Sequence, residues 1–388
     1  MIWVFFSLRF TLNFSSINKL NPIQNLCYIW LFKFKMPVNQ EKILLIFIKR
    51  ASFIEKDKAI LSNRYQVDEW QFDTRRKIML PWIFLKQLLF LIVRLPSYKA
   101  VVSEFGGYHT FLPGLFGKLF RIPHVIICCG SDCVAYPSLN YGNLRKGLLK
   151  WVIGKSYAWA DLLCPVHEKL MGYKNSYYLD DIQNQGILNF FPDLKTAVFP
   201  VENGYDPAIW KPSGEKKLQF LTVAGQMEDP NRAKLKGVDL VEQLPIHFPE
   251  YDFILIGTTG STKTVSDPPN LIRIPFVPHS EIIHYYQSSR FYLQLSISEG
   301  FPNALSEAMS SGCIPIVSDV SSMPQIVGES GFVVKNRKLE EVVQTIKLAI
   351  NSDFNSLAYA ARERIMNYYP EVNRANKLIK AIDRVAKK

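Results

Sequence analysis

Two glutamates eight positions apart flank a turn that could hold an anion. Glu299 comes directly before Gly300 and Pro302, and Glu307 lies about one turn inside a helix that the sequence predicts to begin near Asn303. Proline suits the first position of a helix. Because the first N–H groups of a helix are free and its dipole is positive there, the turn favours a bound diphosphate. The two carboxylates would flank that anion and accept hydrogen bonds from sugar hydroxyls.

The segment 298–309 resembles the signature of the family 4 retaining glycosyltransferases, which have the GT-B fold. The resemblance rests on the two glutamates around Gly-Phe-Pro-Asn-Ala and on the residues that follow, 308–317. It implies that Glu299 contacts the donor sugar of a nucleoside-diphosphate sugar and that Glu307 holds the ribose. It also implies a donor diphosphate against the turn and helix start, at Gly300, Phe301, Asn303, Ala304 and Leu305. The alternative is a pair of solvated helix-end glutamates, with glycine and proline as ordinary turn formers.

Cations are expected to neutralise the leaving diphosphate in place of a metal ion. Members of the family usually carry an arginine directly after the glycine that follows the first donor-domain strand, and a lysine before a later glycine. Here Lys236 is present, but Gln226 stands where the arginine is expected. Arg232 could substitute through an enlarged loop. For both cations the alternative is a solvated surface side chain. The turn 203–206, Asn-Gly-Tyr-Asp, resembles the family's turn between the domains.

Two turns of the N-terminal half are expected at the same cleft, on the acceptor side. Each follows a predicted strand, 99–103 or 124–128. The acceptor-side residues predicted there are Gly106, Gly107, Gly130 and Ser131. His109 and Asp132 there are candidate catalytic residues, together with Glu299. The alternatives for His109 and Asp132 are a polar loop residue and a helix cap, respectively. Members of the family often have histidine at the position of Cys129, so this chain departs from the pattern there.

Alternating strand and helix patterns must position these residues, and they predict parallel α/β layers. Strands are predicted at 43–48, 99–103, 124–128, 162–165, 218–223, 252–256, 271–274, 291–295, 314–318 and 332–334. With the resemblance, we predict an α/β fold of the GT-B type, with two Rossmann-like, doubly wound domains facing a central cleft. The C-terminal helix is expected to return to the N-terminal domain. Such sheets bind ligands at the carboxyl ends of their strands.

The predicted boundaries divide the chain into five parts. They are an N-terminal extension (1–35), an acceptor-side domain (36–200), a linker (201–212), a nucleotide-sugar-binding domain (213–368) and a C-terminal helix (369–388). The first part is apolar, but basic residues interrupt it before any run is long enough to span a bilayer. It also lacks the order of regions typical of a signal peptide. We interpret it as an extraneous extension, with a loose membrane-surface anchor as the alternative.

The excess positive charge of the chain lies in its N-terminal half. The sequence has 46 Lys and Arg against 34 Asp and Glu; residues 1–200 carry 25 basic and 13 acidic residues, and residues 201–388 carry 21 of each. This asymmetry indicates an anionic partner for one half only. Basic residues accompany apolar helices at 75–94 and 144–160, which suits an anionic membrane surface. The alternative is ordinary helices with a solvated basic face. Without a nucleic-acid-binding motif, no nucleic acid is expected as a partner.

Several other chemistries lack their motifs in this sequence. It has no Walker P-loop, no Gly-x-Gly-x-x-Gly after a strand and no Gly-x-Ser-x-Gly elbow. It also has no Asp-x-Asp pair to hold a divalent cation with a sugar nucleotide, so neither a metal nor a cofactor is expected. Six irregularly spaced cysteines do not suit a disulfide scaffold. They predict reduced, partly buried thiols in a cytosolic protein, with metal or redox chemistry as the alternative.

These observations and the resemblance predict a metal-independent, retaining glycosyltransferase of the hexosyltransferase type. It would transfer a sugar from a nucleoside-diphosphate sugar to a glycan or lipid-linked acceptor in the synthesis of a bacterial surface polysaccharide, such as lipopolysaccharide or capsule. It would be cytoplasmic and peripheral on the inner face of the cell membrane. One alternative is another GT-B enzyme, such as a sugar-nucleotide epimerase. Another is a noncatalytic glycan- or lipid-binding scaffold, which the departures at Gln226 and Cys129 favour.

Overall fold

The structure is a computed structural model that describes residues 40–73, 77–225, 227–258 and 267–386. The predicted extension 1–35 lies outside the described residues, as do Arg75, Arg76 and Gln226. The two sheets described below belong to one compact unit, Glu41–Lys388.

A parallel sheet forms the centre of the N-terminal half. Its strands are β1 (Lys42–Phe47), β2 (Gln66–Gln71), β3 (Ala100–Glu104), β4 (His124–Cys128) and β5 (Leu162–Pro165). They are ordered β2-β1-β3-β4-β5. Every residue of β3 and β4 is buried. Burial on both faces explains why these strands are recognisable in the sequence as short apolar runs.

Strand β2 is the one member of this sheet that the sequence patterns did not predict. Its sequence, Gln-Val-Asp-Glu-Trp-Gln, has no apolar run, and its residues are exposed or only partly buried. It pairs with β1 alone, in register from Lys42 with Gln66 to Phe47 with Gln71. An edge strand tolerates polar side chains because one of its sides faces solvent, so β propensity alone is a weak signal there.

Helices and a short hairpin accompany this first sheet. The helices are α1 (Ser52–Ser62), α2 (Leu80–Arg94), α3 (Phe111–Phe120), α4 (Gly147–Trp159) and α5 (Ile187–Phe190), and the hairpin strands are β6 (Tyr173–Lys174) and β7 (Asn184–Gln185). The segment after β5 contains a 3-10 turn, Glu168–Met171. Helix α3 packs against both α2 and α4, so the three helices lie side by side.

A second parallel sheet forms the centre of the C-terminal half. Its strands are β8 (Lys217–Val223), β9 (Asp252–Thr258), β10 (Leu271–Pro275), β11 (Ser289–Gln294), β12 (Ile314–Ser318) and β13 (Phe332–Val334). They are ordered β10-β9-β8-β11-β12-β13. The helices around it are α6 (Pro230–Leu235), α7 (Val238–Val241), α8 (Ile282–Ser288), α9 (Asn303–Ser310), α10 (Met323–Val327), α11 (Leu339–Ile350) and α12 (Phe354–Tyr368).

The strand order of each sheet reverses at one pair of neighbours. The pair is β1 and β3 in the first sheet, and β8 and β11 in the second. Chain segments leaving such a pair run in opposite directions and open a crevice at the carboxyl ends of the strands, where ligands of these folds bind. The turns singled out in the sequence follow β3, β4 and β11, so the topology brings them to these crevices.

The last helix, α13 (Glu371–Ala386), returns to the N-terminal half, as predicted. It packs against α1 and β5. The guanidinium of Arg374 forms a buried ion pair with Asp57 of α1. Near the other end of the helix, Asp383 accepts a hydrogen bond of 2.6 Å from the Tyr65 hydroxyl. These contacts attach α13 to the N-terminal sheet, although it follows the C-terminal sheet in sequence.

Candidate active site

The start of helix α9 is an open set of backbone donors. Its N-cap is Pro302, and no side chain caps it. Within the described residues, no acceptor binds the N–H groups of Asn303, Ala304 and Leu305. The helix is anchored by buried Ala308 and Met309 on its inner face. Free N–H groups and the helix dipole make this end suitable for an anion, as the sequence predicts.

Glu299 lies beside this helix start and is held by three donors. Its Oε1 accepts hydrogen bonds from Gln294 Nε2 (2.9 Å) and Ser296 Oγ (2.8 Å), and it forms an ion pair with Lys236 Nζ at 2.6 Å. The close approach of the Lys236 segment depends on Gly237, which has a φ of +72°. A Cβ at Gly237 would lie 2.6 Å from the carbonyl carbon of Leu295. The structure therefore brings Glu299 and Lys236 together.

Glu307 lies one turn into α9 and is only 4% exposed. Its Oε1 is 2.9 Å from His279 Nε2, and its Oε2 accepts a 3.3 Å hydrogen bond from the Tyr286 hydroxyl. The hydrogen bond to Glu307 raises the pKa of His279, while burial and the positive charge of Lys56 act in the opposite direction. Glu307 thus lines the cleft as a buried carboxylate with a fixed orientation.

A small cavity lies between the two halves of the chain at this point. Lys56 of α1 lines it from the N-terminal side. His279, Asn303 and Glu307 line it from the C-terminal side. The linker contributes Asn203, whose Nδ2 donates a 2.9 Å hydrogen bond to Asn303 Oδ1. Linker and donor helix are therefore connected directly at the edge of the cavity.

The donor-side and acceptor-side turns touch at two glycines. A Cβ at Gly130 would lie 3.1 Å from the Cα of Gly300. A Cβ at Gly300 would lie 2.9 Å from the carbonyl carbon of Cys129 and closer still to its oxygen. The turn after β4 and the turn after β11, which begins beside Glu299, are thus in backbone contact.

Asp132 does not face the cleft as a free catalytic carboxylate. It is fully buried, and its oxygens accept hydrogen bonds from the amides of Gly106 (2.8 Å) and Gly130 (3.0 Å). The Tyr157 hydroxyl donates another, at 2.8 Å. The role of Asp132 is therefore to hold the two acceptor-side turns together, which corrects the catalytic role predicted from the sequence.

His109 lies in the core rather than at the cleft, which also corrects the prediction. It is fully buried, and its Nε2 is 2.8 Å from the carbonyl oxygen of Glu104. Burial lowers its pKa to about 4, so the ring is neutral near pH 7. Its Nδ1 would be 2.9 Å from a Cβ at Gly107, so the glycine gives it room. A turn histidine that follows a buried strand can point inward as well as outward, and the sequence does not distinguish the two directions.

Two further predicted residues lie near the cleft in other arrangements. The guanidinium of Arg232 lies 5.0 Å from the ring centroid of Tyr141, a residue of the N-terminal half. Ser131 is partly buried, and its carbonyl accepts a 2.7 Å hydrogen bond from the Asn143 amide. Neither contact joins Arg232 or Ser131 to the Glu299 and Lys236 pair.

Sequence reasoning missed His279 and Lys56. His279 lies in the loop between β10 and α8, and no motif marks it. Lys56 is one of two lysines on α1, and the apolar spacing of this helix does not indicate which face is turned to the cleft. Only the packing of the two halves assigns them to the same cavity as Glu307.

The described cysteines are free. Cys128, Cys133 and Asp132 offer ligand atoms within 4.8 Å of one another. Burial raises the pKa of both thiols, which keeps them protonated, and Asp132 is occupied by the backbone amides of the turns. These properties are those of a packed core cluster. Cys129 is directed to the neighbouring Glu104, whose Oε2 lies 3.6 Å from the thiol sulfur.

Known proteins share both the sequence pattern and the fold. Residues 222–369 match the family model described as "Glycosyl transferases group 1". A GDP-mannose:cellobiosyl-diphosphopolyprenol alpha-mannosyltransferase of Xanthomonas campestris is 37% identical over 181 residues, which are 42% of this chain and 48% of that protein. The chain therefore spans about half the length of this curated relative.

Solved structures cover more of the chain. Anabaena Alr3699/HepE in complex with UDP and glucose has a TM-score of 0.66 at 12% identity and covers 89% of this chain and 100% of its own. Sucrose-phosphate synthase from Thermosynechococcus elongatus has a TM-score of 0.65 at 13% identity, over 89% of this chain and 98% of its own. At such identities the likeness concerns the fold, and it confirms the predicted GT-B architecture. Residues 222–369 thus match the glycosyl transferases group 1 family, within a chain that has the GT-B fold.

Proposed function

We propose that this protein transfers a sugar from a nucleoside-diphosphate sugar to a glycan or lipid-linked acceptor, with retention of configuration and without a metal ion. The observation that carries the proposal is the uncapped start of α9, which lies between Glu299 and Glu307 in the cleft. The group 1 match over 222–369 includes this helix and both glutamates.

The residues of the cleft can act on such a donor in a defined order. Glu307 accepts hydrogen bonds from the ribose hydroxyls and orients the nucleotide. The amides of Asn303, Ala304 and Leu305 receive the diphosphate. As the glycosidic bond breaks, negative charge grows on the leaving diphosphate, and these preorganised donors and Lys236 stabilise it. Glu299 contacts the sugar hydroxyls, and the turn at Gly130 keeps water away from the reacting carbon.

The test begins with binding. UDP-, GDP-, ADP- and dTDP-sugars are screened for an increase in the melting temperature, because a ligand of the native state raises stability by mass action. Donors that bind are then tested for turnover with a membrane extract, and without acceptor to detect epimerisation. Glu307→Gln should weaken donor binding about tenfold or more, since a hydrogen bond to a charged group is lost. Glu340→Gln, on an exposed site of α11, is the matched control. Unchanged binding and turnover in Glu307→Gln would contradict the assignment.

An apolar face on the N-terminal half supports a membrane-linked acceptor. Within the described residues, one helix, Leu80–Ser97, is long and apolar enough by length and composition alone to cross a membrane, and 17% of it is buried. Its buried Gln87 donates a hydrogen bond to the His109 carbonyl, which anchors α2 on the domain. The outward stripe of this segment and the helices beside it expose the side chains of Ile78, Trp82, Leu85, Leu89, Ile92, Val93, Leu115, Leu119, Leu148 and Trp151.

We infer that this face lies on an anionic membrane rather than spanning it. Apolar side chains enter the headgroup region while neighbouring lysines and arginines, such as Lys86 and Arg94, meet lipid phosphates. The Xanthomonas relative is named for a diphosphopolyprenol substrate, and this supports a lipid-linked acceptor. We propose that the protein meets this acceptor on the cytoplasmic face of the membrane. On the same grounds we propose a role in the synthesis of a bacterial surface polysaccharide.

Flotation with lipid vesicles tests the membrane face. The protein should float with vesicles that contain phosphatidylglycerol and should be released by salt, because surface electrostatics are screened. The double variant Leu89→Gln/Ile92→Gln should lose flotation. The control is Ile246→Gln/Leu348→Gln, which changes two exposed apolar residues of the other half. Equal flotation of both variants, or none for the unmodified protein, would refute the docking surface.

A further inference from the structure

The cleft contains a lysine whose charge no described carboxylate balances. Lys56 of α1 lines the cavity between the two halves, opposite His279, Asn303 and Glu307. Within residues 40–73, 77–225, 227–258 and 267–386, no carboxylate lies in ion-pair distance of its ammonium group. Its described contact is with the face of the Tyr205 ring, at 5.9 Å from the centroid. Lys56 is partly buried, and its side chain forms part of the cavity wall.

The other charged side chains of this cavity are already paired. Arg374 is bound to Asp57 and to the linker carbonyls of Val201 and Glu202. Glu307 is bound to His279. Among the described residues, Lys56 is therefore the charged side chain of this cavity that has no ion-pair partner.

The two cations of the donor half that were predicted to neutralise the diphosphate also have partners. Lys236 is paired with Glu299 at 2.6 Å, and Arg232 stacks on Tyr141. A diphosphate at the start of α9 would carry more negative charge than these two groups can meet without giving up their contacts. Lys56 is close to that helix start, since Tyr205 contacts Lys56 with its ring and donates a 2.7 Å hydrogen bond from its hydroxyl to Asn303 Oδ1.

We propose that Lys56 binds the phosphate next to the ribose of a nucleoside diphosphate, from the N-terminal side of the cleft. This inference rests on the proposed function, because it uses Glu307 as the ribose contact. Lys56 lines the same cavity as Glu307 and lies near the start of α9. With the ribose at Glu307, the phosphate attached to the ribose is the one nearest to Lys56. Donor binding would then join the two halves of the chain through one ion pair.

The experiment compares nucleotides that differ only in their phosphates. Among UDP, GDP, ADP and dTDP, the one that raises the melting temperature most is chosen, and its affinity and that of its nucleoside are measured by calorimetry. Lys56→Met should weaken diphosphate binding about tenfold to a hundredfold, as expected for a lost hydrogen bond between charged groups. It should leave nucleoside binding unchanged. Lys56→Arg should restore most of the affinity.

Lys58→Met is the matched control, because Lys58 lies on the same helix but is paired with Glu69 at 3.0 Å. It should bind the diphosphate like the unmodified protein. If Lys56→Met binds the diphosphate normally, or loses nucleoside affinity to the same extent, the role of Lys56 is refuted while the proposed function stands. If the unmodified protein binds none of the four diphosphates, the proposed function fails and this inference with it.

Discussion

The contact between Gly300 and the turn after β4 predicts a large kinetic effect for a single methyl group. In Gly300→Ala the new Cβ would lie 2.9 Å from the carbonyl carbon of Cys129. Ordinary carbon–carbon contacts are about 3.5–4.0 Å, so the acceptor-side turn must retreat by on the order of 1 Å. A misplacement of about 1 Å costs on the order of a hundredfold in rate, or about 2.7 kcal/mol of transition-state stabilisation.

The assay is turnover of the donor that binds, with kcat and donor affinity measured separately. We expect kcat to fall about a hundredfold while the affinity for the nucleoside changes much less, because its expected ribose contact, Glu307, lies inside the helix beyond the turn. Gly147→Ala is the control, since a Cβ at Gly147 meets nothing within 4 Å. A Gly300→Ala enzyme with normal kcat would refute the view that the closed arrangement of the two turns is the active one.

Three further predictions concern the stability and chemistry of the cleft. The hydrogen bond to Glu307 raises the pKa of His279 in the folded protein. The pair therefore contributes its full stabilisation below the unfolded-state pKa of His279, which is about 6.5. This contribution is lost as the pH rises through the higher pKa of the folded state. Urea unfolding of His279→Gln should therefore show a flatter pH dependence above about pH 6.5 than the unmodified protein, and parallel curves would refute the pairing in solution. Asp57→Ala should destabilise the fold by about 3–5 kcal/mol in urea unfolding, because it leaves Arg374 buried without its partner; a loss of less than about 1 kcal/mol would contradict the buried ion pair. His109→Gln should keep kcat within about twofold per folded molecule, because the ring is neutral and buried in the core. A large drop in kcat at unchanged stability would instead support a catalytic role for His109.

The sequence predicts the fold well because buried parallel strands leave a strong pattern. Strands such as β3, β4 and β12 are buried on both faces and therefore form short apolar runs with turn residues at each end. The site at α9 is also recognisable, because glycine, proline and two glutamates occur at fixed spacing around one turn. Strand β2 escapes prediction since it lies at an edge, where side chains need not be apolar.

The acceptor side is harder to predict for a physical reason. His109 and Asp132 follow buried strands, where a polar side chain can turn towards the cleft or back into the protein. Asp132 turns back because four donors, the amides of Gly106, Cys129 and Gly130 and the Tyr157 hydroxyl, converge on its carboxylate. These partners come from separate segments of the chain, so local spacing carries no information about them. Lys56 and His279 are hidden from sequence reasoning in the same way.

The return of α13 to the N-terminal half has a consequence for the order in which the protein is made. Asp57 and Arg374 are 317 positions apart, yet their ion pair lies in the interior of the N-terminal half. A ribosome has therefore released the first sheet long before the helix that covers α1 and β5 exists. Until then, Asp57 has no guanidinium partner and the apolar face that receives Leu378 and Ile382 is bare. The nascent N-terminal half therefore lacks its last helix until α13 has been made. Its exposed apolar surface favours binding by chaperones during translation.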